Sequence, residues 1–302
     1  MAYRLKASES VSKGIKRIAT EQIDRAIADL STTDETNIDE AVHQARKRLK
    51  KTRAVVRLVR DRIGKDLYRQ ENTRYRDIGR KLANFRDARV QIVALDKLTL
   101  SYDEKVRKFA DIRQELQANY HREYQRVLNE GIIISVKNEL KDAKTQINNW
   151  KIKSSDWKVV NKSLKRIYKE GYKGLDRAIT EPTAENLHDW RKRVKYLGYH
   201  LCILSPIWLE VMEAWVDRTN KISDYLGEDH DLAVLQEFVA KQPKRFDRQS
   251  ISDLTALIDR RRGELQPKAI SIGRRIYTEK DERFVKRLNN YWQIWREEQY
   301  AS

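Results

Sequence analysis

The chain has 302 residues, with 63 Lys and Arg against 45 Asp and Glu, a net charge of +18. That excess predicts a polyanionic partner, namely nucleic acid, an anionic membrane surface or a phosphate-rich molecule, and carries no information about fold. A hydrophobic content of 40% with seven Trp and fourteen Tyr excludes disorder along the whole chain, and the single cysteine, Cys202, excludes an intramolecular disulfide and fits a reducing compartment.

The N-terminal stretch MAYRLKASESVSKG has no apolar run of the kind a secretory signal needs. Only four prolines and ten glycines punctuate the chain, and 3.6-residue periodicity dominates, which predicts an all-α protein. Helices are expected near 8–30, 38–63, 66–98, 102–130 and 133–151, then near 156–180, 184–204, 206–240, 250–265 and 268–298.

The helix over 38–63 carries a regular apolar stripe. Val42, Ala45, Leu49, Thr52, Val56, Val59 and Ile63 step by threes and fours, one apolar stripe with a polar lapse at Thr52. Asn37 with Glu40 reads as a capping box at its start, and Gly64 as its stop. Ser101 with Glu104 and Ser250 with Asp253 are further N-terminal signals. Leu187, Trp190, Val194, Leu197, Leu201 and Leu204 form an equivalent stripe in the second half, and Ser205-Pro206 is expected to cap the helix that follows. The most apolar window, GYHLCILSPIWLEVMEAWV, is interrupted by His200, Pro206, Glu210 and Glu213 and reads as two core helices rather than a membrane span.

Three blocks recur in one order. KGIKRI (13–18) matches KSLKRI (162–167), His43-x-x-Arg46-Lys47-Arg48 matches His188-x-x-Arg191-Lys192-Arg193, and LANFRDARV (82–90) matches LGEDHDLAV (226–234). The offsets stay between 144 and 149 residues, so a unit the size of one helical bundle is duplicated, with expected halves 1–153 and 154–302.

The basic residues follow the duplication. His43, Arg46, Lys47, Lys50, Arg53 and Arg57 share one helix flank, and no acidic residue occurs from Ala45 to Arg60. Like charges three or four residues apart repel by up to about half a kcal/mol per pair. A purely structural helix relieves that repulsion with glutamates. His188, Arg191, Lys192 and Lys195 repeat the pattern, and Lys165, Arg166 and Lys169 lie on a third basic stripe with Tyr168 and Tyr172 interleaved. If the halves pack face to face, these stripes surround one groove that binds a long polyanion. Asp87 and Asp231 occupy equivalent positions in the third block, where they are expected to position an Arg or His. His121 and His200 have no repeat partner and read as structural.

The segments VHQARKRLKKTR and LHDWRKRVKYLGY, with FRDARVQIVAL and LGEDHDLAVL in the same order, resemble the CHAD (conserved histidine α-helical domain) family over about residues 8–298. The resemblance implies two tandem four-helix bundles related by pseudo-twofold symmetry around a basic surface or pore. It also implies binding of inorganic polyphosphate and association with polyphosphate granules in the cytoplasm. The contacts it implies are His43, Arg46, Lys47, Lys50, Arg53, Arg57, His188, Arg191, Lys192 and Lys195, followed by Lys165, Arg166 and Lys169. No Glu-x-Glu-x-Lys strand of the triphosphatase module often fused to such domains occurs here, so neither catalysis nor a cofactor nor a metal is implied.

Two other readings use the same residues. Non-specific nucleic-acid binding at low salt is expected from the charge alone, although no helix-turn-helix, zinc-finger or RNA-binding strand motif is visible. The doublets His188-Asp189 and His230-Asp231 suit a metal-dependent phosphohydrolase only if several such ligands converge, and the flanking Arg and Lys oppose a dication. A scaffold that recruits another protein to the granule is a third reading.

Overall fold

A computed structural model describes residues 3–31, 36–104, 106–152 and 156–301. Every regular element among them is helical. The first half contains α1 (Val11–Ser31), α2 (Ile38–Leu58), the single turn α3 (Arg60–Ile63), α4 (Lys65–Lys81), α5 (Ala83–Ser101), α6 (Ala110–Asn129) and α7 (Ile132–Ile147). The second contains α8 (Asn161–Thr180), α9 (Ala184–Leu204), α10 (Leu209–Ala240), α11 (Arg248–Ile276) and α12 (Asp281–Ala301).

The stripes read from the sequence are the buried faces. Val42, Ala45, Leu49, Val56 and Val59 are buried, as are Leu187, Trp190, Val194, Leu197, Leu201 and Leu204. Thr52 is also buried, because its hydroxyl donates to the Arg48 carbonyl one turn back and leaves no unsatisfied donor. Gly64, at φ +89°, stops the segment, but the helix expected over 38–63 already breaks at Val59, so Gly64 ends only the single turn α3.

Several expected boundaries move. The helix expected at 66–98 is two helices that meet at Leu82, where the backbone turns to φ −93°, ψ 2° around a fully buried side chain. Its repeat counterpart, α10, runs on unbroken past Leu226. Ser101 does not cap the next helix; it stays in the last turn of α5 and donates to the Lys97 carbonyl. Ser205 and Pro206 form a separate 3-10 turn, and α10 starts only after Trp208. The cap before α11 is Asp247, whose carboxylate accepts from the Ser250 backbone N–H at 2.9 Å, so Ser250 lies inside that helix.

The largest correction is at Pro267, where a helix stop was expected and α11 instead continues to Ile276. Proline removes one backbone hydrogen bond and crowds the carbonyl four residues back. That carbonyl belongs to Gly263, which has no side chain and is exposed, as is Pro267, so water can serve it. The turns on either side are held by buried Leu265 and Ala269 and by the Gln266 amide bonded to Asp229.

The larger buried cluster is built mainly by α1, α2, α4 and α7 of the first half and α8, α9 and α12 of the second, with Phe85 of α5, Val127 of α6, the N-terminal part of α10 and the C-terminal part of α11 joining it. A second cluster is built by α5 and α6 with the C-terminal part of α10 and most of α11. Each half therefore lends a helical hairpin to a shared distal bundle. The expected division between 153 and 154 lies outside the described residues, and Trp150 and Trp157 on either side of it enter the same core. The halves are also joined by His200, which is buried and bonded to the Ala54 carbonyl at 2.9 Å, and by the Arg166 guanidinium, whose two nitrogens bond the Asp61 carboxylate at 2.8 and 3.0 Å. This packing sets α2 against α9 and carries their basic flanks to one place.

A basic groove between the two repeats

The centre of the site is Lys50. Its influences, after burial, are the like charges of Arg46 on its own helix and of Arg191 and Lys195 on α9. Lys50 and Lys195 are repeat equivalents, as are Arg46 and Arg191. The packing of α2 on α9 therefore brings the two copies of one motif together. Solvent reaches the Lys50 side chain, yet burial within the surrounding protein is the largest influence on it, which describes a groove floor. Its ammonium is pushed down to about 8, and Lys195 is lowered by burial and by Arg191 and Lys47. Asp87 opposes the shift at Lys50 only as the smallest of the influences on it.

The arginines are held by a shared device. Arg46 Nη1 donates to the Gly79 carbonyl at 2.7 Å, and Arg191 Nε donates to the Ser223 carbonyl at 3.2 Å. Gly79 and Ser223 are themselves equivalent, 144 residues apart. Gly79 lies in the last turn of α4, where carbonyls lack helical partners and a cation is favoured. Each guanidinium thus spends one nitrogen on positioning and keeps others for a ligand. Arg46 also lies 3.8 Å from Asp87, the expected role for that carboxylate.

Along α2 the cationic track continues. The Arg57 guanidinium lies 4.5 Å from the centroid of the Tyr196 ring of α9, and Arg53 Nε donates to Asn72 at 3.4 Å. Lys47 is exposed. Lys192 is exposed too and pairs with Asp189 at 2.6 Å. Lys165 and Arg166 behave differently. Lys165 pairs with Glu282 at 2.6 Å and Arg166 with Asp61, so both are engaged in ion pairs that hold α8 to its neighbours, and neither interacts with the Lys50 group. Lys169 is exposed on α8.

The third repeat block supplies Arg86 and Asp87 from α5 and His230 and Asp231 from α10. Arg86 feels Asp231 across the repeat boundary, and Asp231 feels Arg191, Arg86 and Asp87. Asp231 is raised to about 6, burial outweighing the two guanidinium groups. Arg86 was missing from the expected contacts. Its signal lay in its alignment with His230, a position that keeps a basic side chain in both copies.

The sequence matches the CHAD domain family over residues 17–240. The chain belongs to the CHAD family. Two solved structures share its fold. PptA from Streptomyces chartreusis is 11% identical, with a TM-score of 0.63 over 90% of this chain and 100% of its own. The CHAD domain from the plant Ricinus communis is 17% identical, with a TM-score of 0.58 over 92% of this chain and 95% of its own. No curated protein matches the sequence.

Four histidines of this CHAD chain, His43, His188, His200 and His230, are lowered by burial. His188 and His230 stack with ring centroids 3.9 Å apart and 29° between planes. Burial, each other and the adjacent Arg191 and Lys192 hold His188 down to about 3; burial and the same cations hold His230 down to about 4. His200 is held near 4 by burial, and His43 is lowered by burial and by Arg86.

Acid is therefore expected to destabilise the protein. Unfolded imidazoles take a proton near pH 6.5, whereas His188, His200 and His230 resist until about 3 to 4. Between those limits the unfolded chain binds more protons, so stability falls as pH drops from about 6.5 towards 4. His43, also lowered, adds to this loss, and Asp231, Asp87 and Glu71, carboxyls raised by burial, act in the opposite sense, of which Asp231 is the one that reaches about 6. Urea denaturation at pH 7, 6 and 5 is expected to show this loss and a shallower loss in His230→Asn. Equal slopes in the two proteins contradict the assignment.

Proposed function

We propose that the groove binds inorganic polyphosphate through cations contributed by both repeats. The observation that carries this reading is the convergence of Lys50, Arg46, Arg191 and Lys195, four cations from two helices among which, in the described residues, only Arg46 makes an ion pair, to Asp87 at 3.8 Å, while Asp224 and Asp231 act on the group from further away. Such an arrangement costs stability in the free protein and is relieved by a multivalent anion. Polyphosphate carries roughly one charge per phosphate and has no bases to read, so a continuous cationic track suffices, as in the backbone part of nucleic-acid binding. His43, Lys47, Arg53, Arg57, His188 and Lys192 extend the track on either side of the centre. Lys165, Arg166 and Lys169 flank it on α8, with the first two available only if a ligand displaces Glu282 and Asp61.

Binding without turnover is the proposed activity. The His188 and His230 rings stack on each other rather than converging on a point, and Arg191 and Lys192 beside them oppose a dication. Among the described residues no group of three or more His, Cys, Asp or Glu side chains is placed to hold a metal ion. We place the protein on polyphosphate granules in the cytoplasm. Among the described residues no helix is long and apolar enough to cross a membrane.

The test is a competition titration at about 0.15 M salt, where weak counterion-release binding is suppressed. Long-chain polyphosphate is expected to displace a labelled polyphosphate probe far better than tripolyphosphate, duplex DNA or RNA. Equal displacement by DNA or RNA overturns the reading in favour of charge alone.

A further inference from the structure

Beside the groove lies a cleft of about 390 Å³, lined by α9, α10 and α11. This size is within the range that receives small organic ligands. Its lining includes His188 and His230, two imidazoles within electrostatic range of the cation cluster: His188 feels Arg191 and Lys192, and His230 feels Arg191, Lys192 and Lys50. The histidine pair thus lines the cleft within electrostatic range of the groove's cations.

The chemistry of the cleft differs from that of the groove. Ala184, Ala233, Val234 and Ala240 give it apolar walls, and Glu185 and Glu237 put carboxylates on it. Its one arginine, Arg262, is already bonded to buried Asp229 at 3.0 Å. A bare phosphate is repelled here, whereas a flat, uncharged organic group is not. The stacked imidazoles are neutral at pH 7 and present aromatic surface. The His188 Nδ1 is buried without a hydrogen-bond partner on a ring that lines the cleft, so a small turn of that ring would offer it to a ligand's polar edge. The first repeat has no such pair, because Arg86 stands where His230 stands in the second.

We infer that the cleft receives the base and sugar of a nucleoside oligophosphate whose phosphates lie on Lys50, Arg191 and Lys192. The inference rests on the oligophosphate reading of the groove and extends it to a second class of ligand. A nucleoside attached to the phosphate chain adds stacking on the imidazoles and a partner for His188 Nδ1, and both are absent for inorganic phosphate chains. Base stacking on protein rings commonly strengthens binding by on the order of tenfold.

Calorimetric titration of the full chain with ATP and with inorganic tripolyphosphate separates the two claims. ATP has the lower charge of the two, so charge alone ranks it second. The expected result is ATP binding about tenfold tighter than tripolyphosphate. Ala233→Trp, which fills the cleft, is expected to remove that advantage and leave tripolyphosphate affinity within about twofold. Ala184→Trp, at an exposed position on another wall, is expected to do the same and guards against a folding defect in the first variant. Tripolyphosphate binding at least as tightly as ATP, or equal loss for both ligands in the variants, overturns the cleft assignment and leaves the groove intact. Failure of both ligands to bind while long-chain polyphosphate binds overturns the cleft assignment alone, and failure of long-chain polyphosphate as well overturns the groove reading.

Discussion

Lys50→Glu is expected to melt at a higher temperature than the parent protein while losing at least about a hundredfold in polyphosphate affinity. Most substitutions that abolish binding leave stability unchanged or reduce it, so the opposed signs are diagnostic. The stability gain follows from position. Lys50 sits among Arg46, Arg191 and Lys195, and a carboxylate there meets three cations where an ammonium met three repulsions, a gain that exceeds the new repulsion from Asp87, the smallest influence on Lys50, and from Asp231. Solvent reaches the site, so the gain is limited to about 1 kcal/mol. The affinity loss has two parts, the missing charge-assisted contact and the repulsion between the new carboxylate and the phosphates. Lys244→Glu makes the same change in net charge at an exposed position before α11 and is expected to change affinity only a few-fold. A destabilised Lys50→Glu that still binds polyphosphate places the ligand elsewhere.

Affinity for polyphosphate is expected to rise steadily as pH falls from 9 to 5. On the alkaline side the group is Lys50, which is half deprotonated near pH 8 in the free protein. An anion in the groove favours the ammonium, so binding takes up a proton, and affinity falls by up to about tenfold per pH unit above 8. Lys195, lowered by the same cluster, adds to the slope. On the acid side the group is Asp231, raised to about 6. Its carboxylate opposes the polyanion, and protonation removes that opposition as pH falls through 6. Binding enthalpies measured at pH 8 in buffers of different ionisation heat report the proton uptake directly. A surface of ordinary lysines has no group titrating between pH 6 and 9 and gives none. Zero uptake at pH 8 therefore removes Lys50 from the binding site.

The free protein has its own response to alkali. Lys50 gives up its proton near pH 8 in the fold and near 10.4 in the unfolded chain. The unfolded state then binds more protons over that interval, so stability without ligand rises with pH through it. Ligand affinity and intrinsic stability thus move in opposite directions above pH 8, as expected of a site assembled for its ligand at the expense of the free fold.

Much of this was legible in the linear chain because it is local. Spacings of three and four residues place Val42, Ala45 and Leu49 on one face of a helix and Arg46, Lys47 and Lys50 on another, whatever the helix packs against. The duplication was legible for the same reason: residues 43–48 and 188–193 carry one pattern, and a pattern survives without knowledge of contacts. Helix ends were harder, because ends are decided by competition. Pro267 is a break by intrinsic preference, yet buried Leu265 and Ala269 and the Gln266–Asp229 bond hold α11 through it.

Only tertiary packing decided which basic residues meet. The crossing of α2 and α9 brings Lys50 to Arg191 and Lys195, residues more than 140 positions away, and no periodicity encodes that approach. Packing also separated cations held by ion pairs from those left facing the groove. Arg166 and Lys165 look as available in sequence as Lys50, but Asp61 and Glu282 approach from other helices and pair with them. The stacking of His188 on His230 arises in the same way, from a contact between α9 and α10 across more than forty residues. A helix face follows from the 3.6-residue turn, a property of the backbone; what that face touches follows from burying every apolar stripe at once, a property of the whole fold.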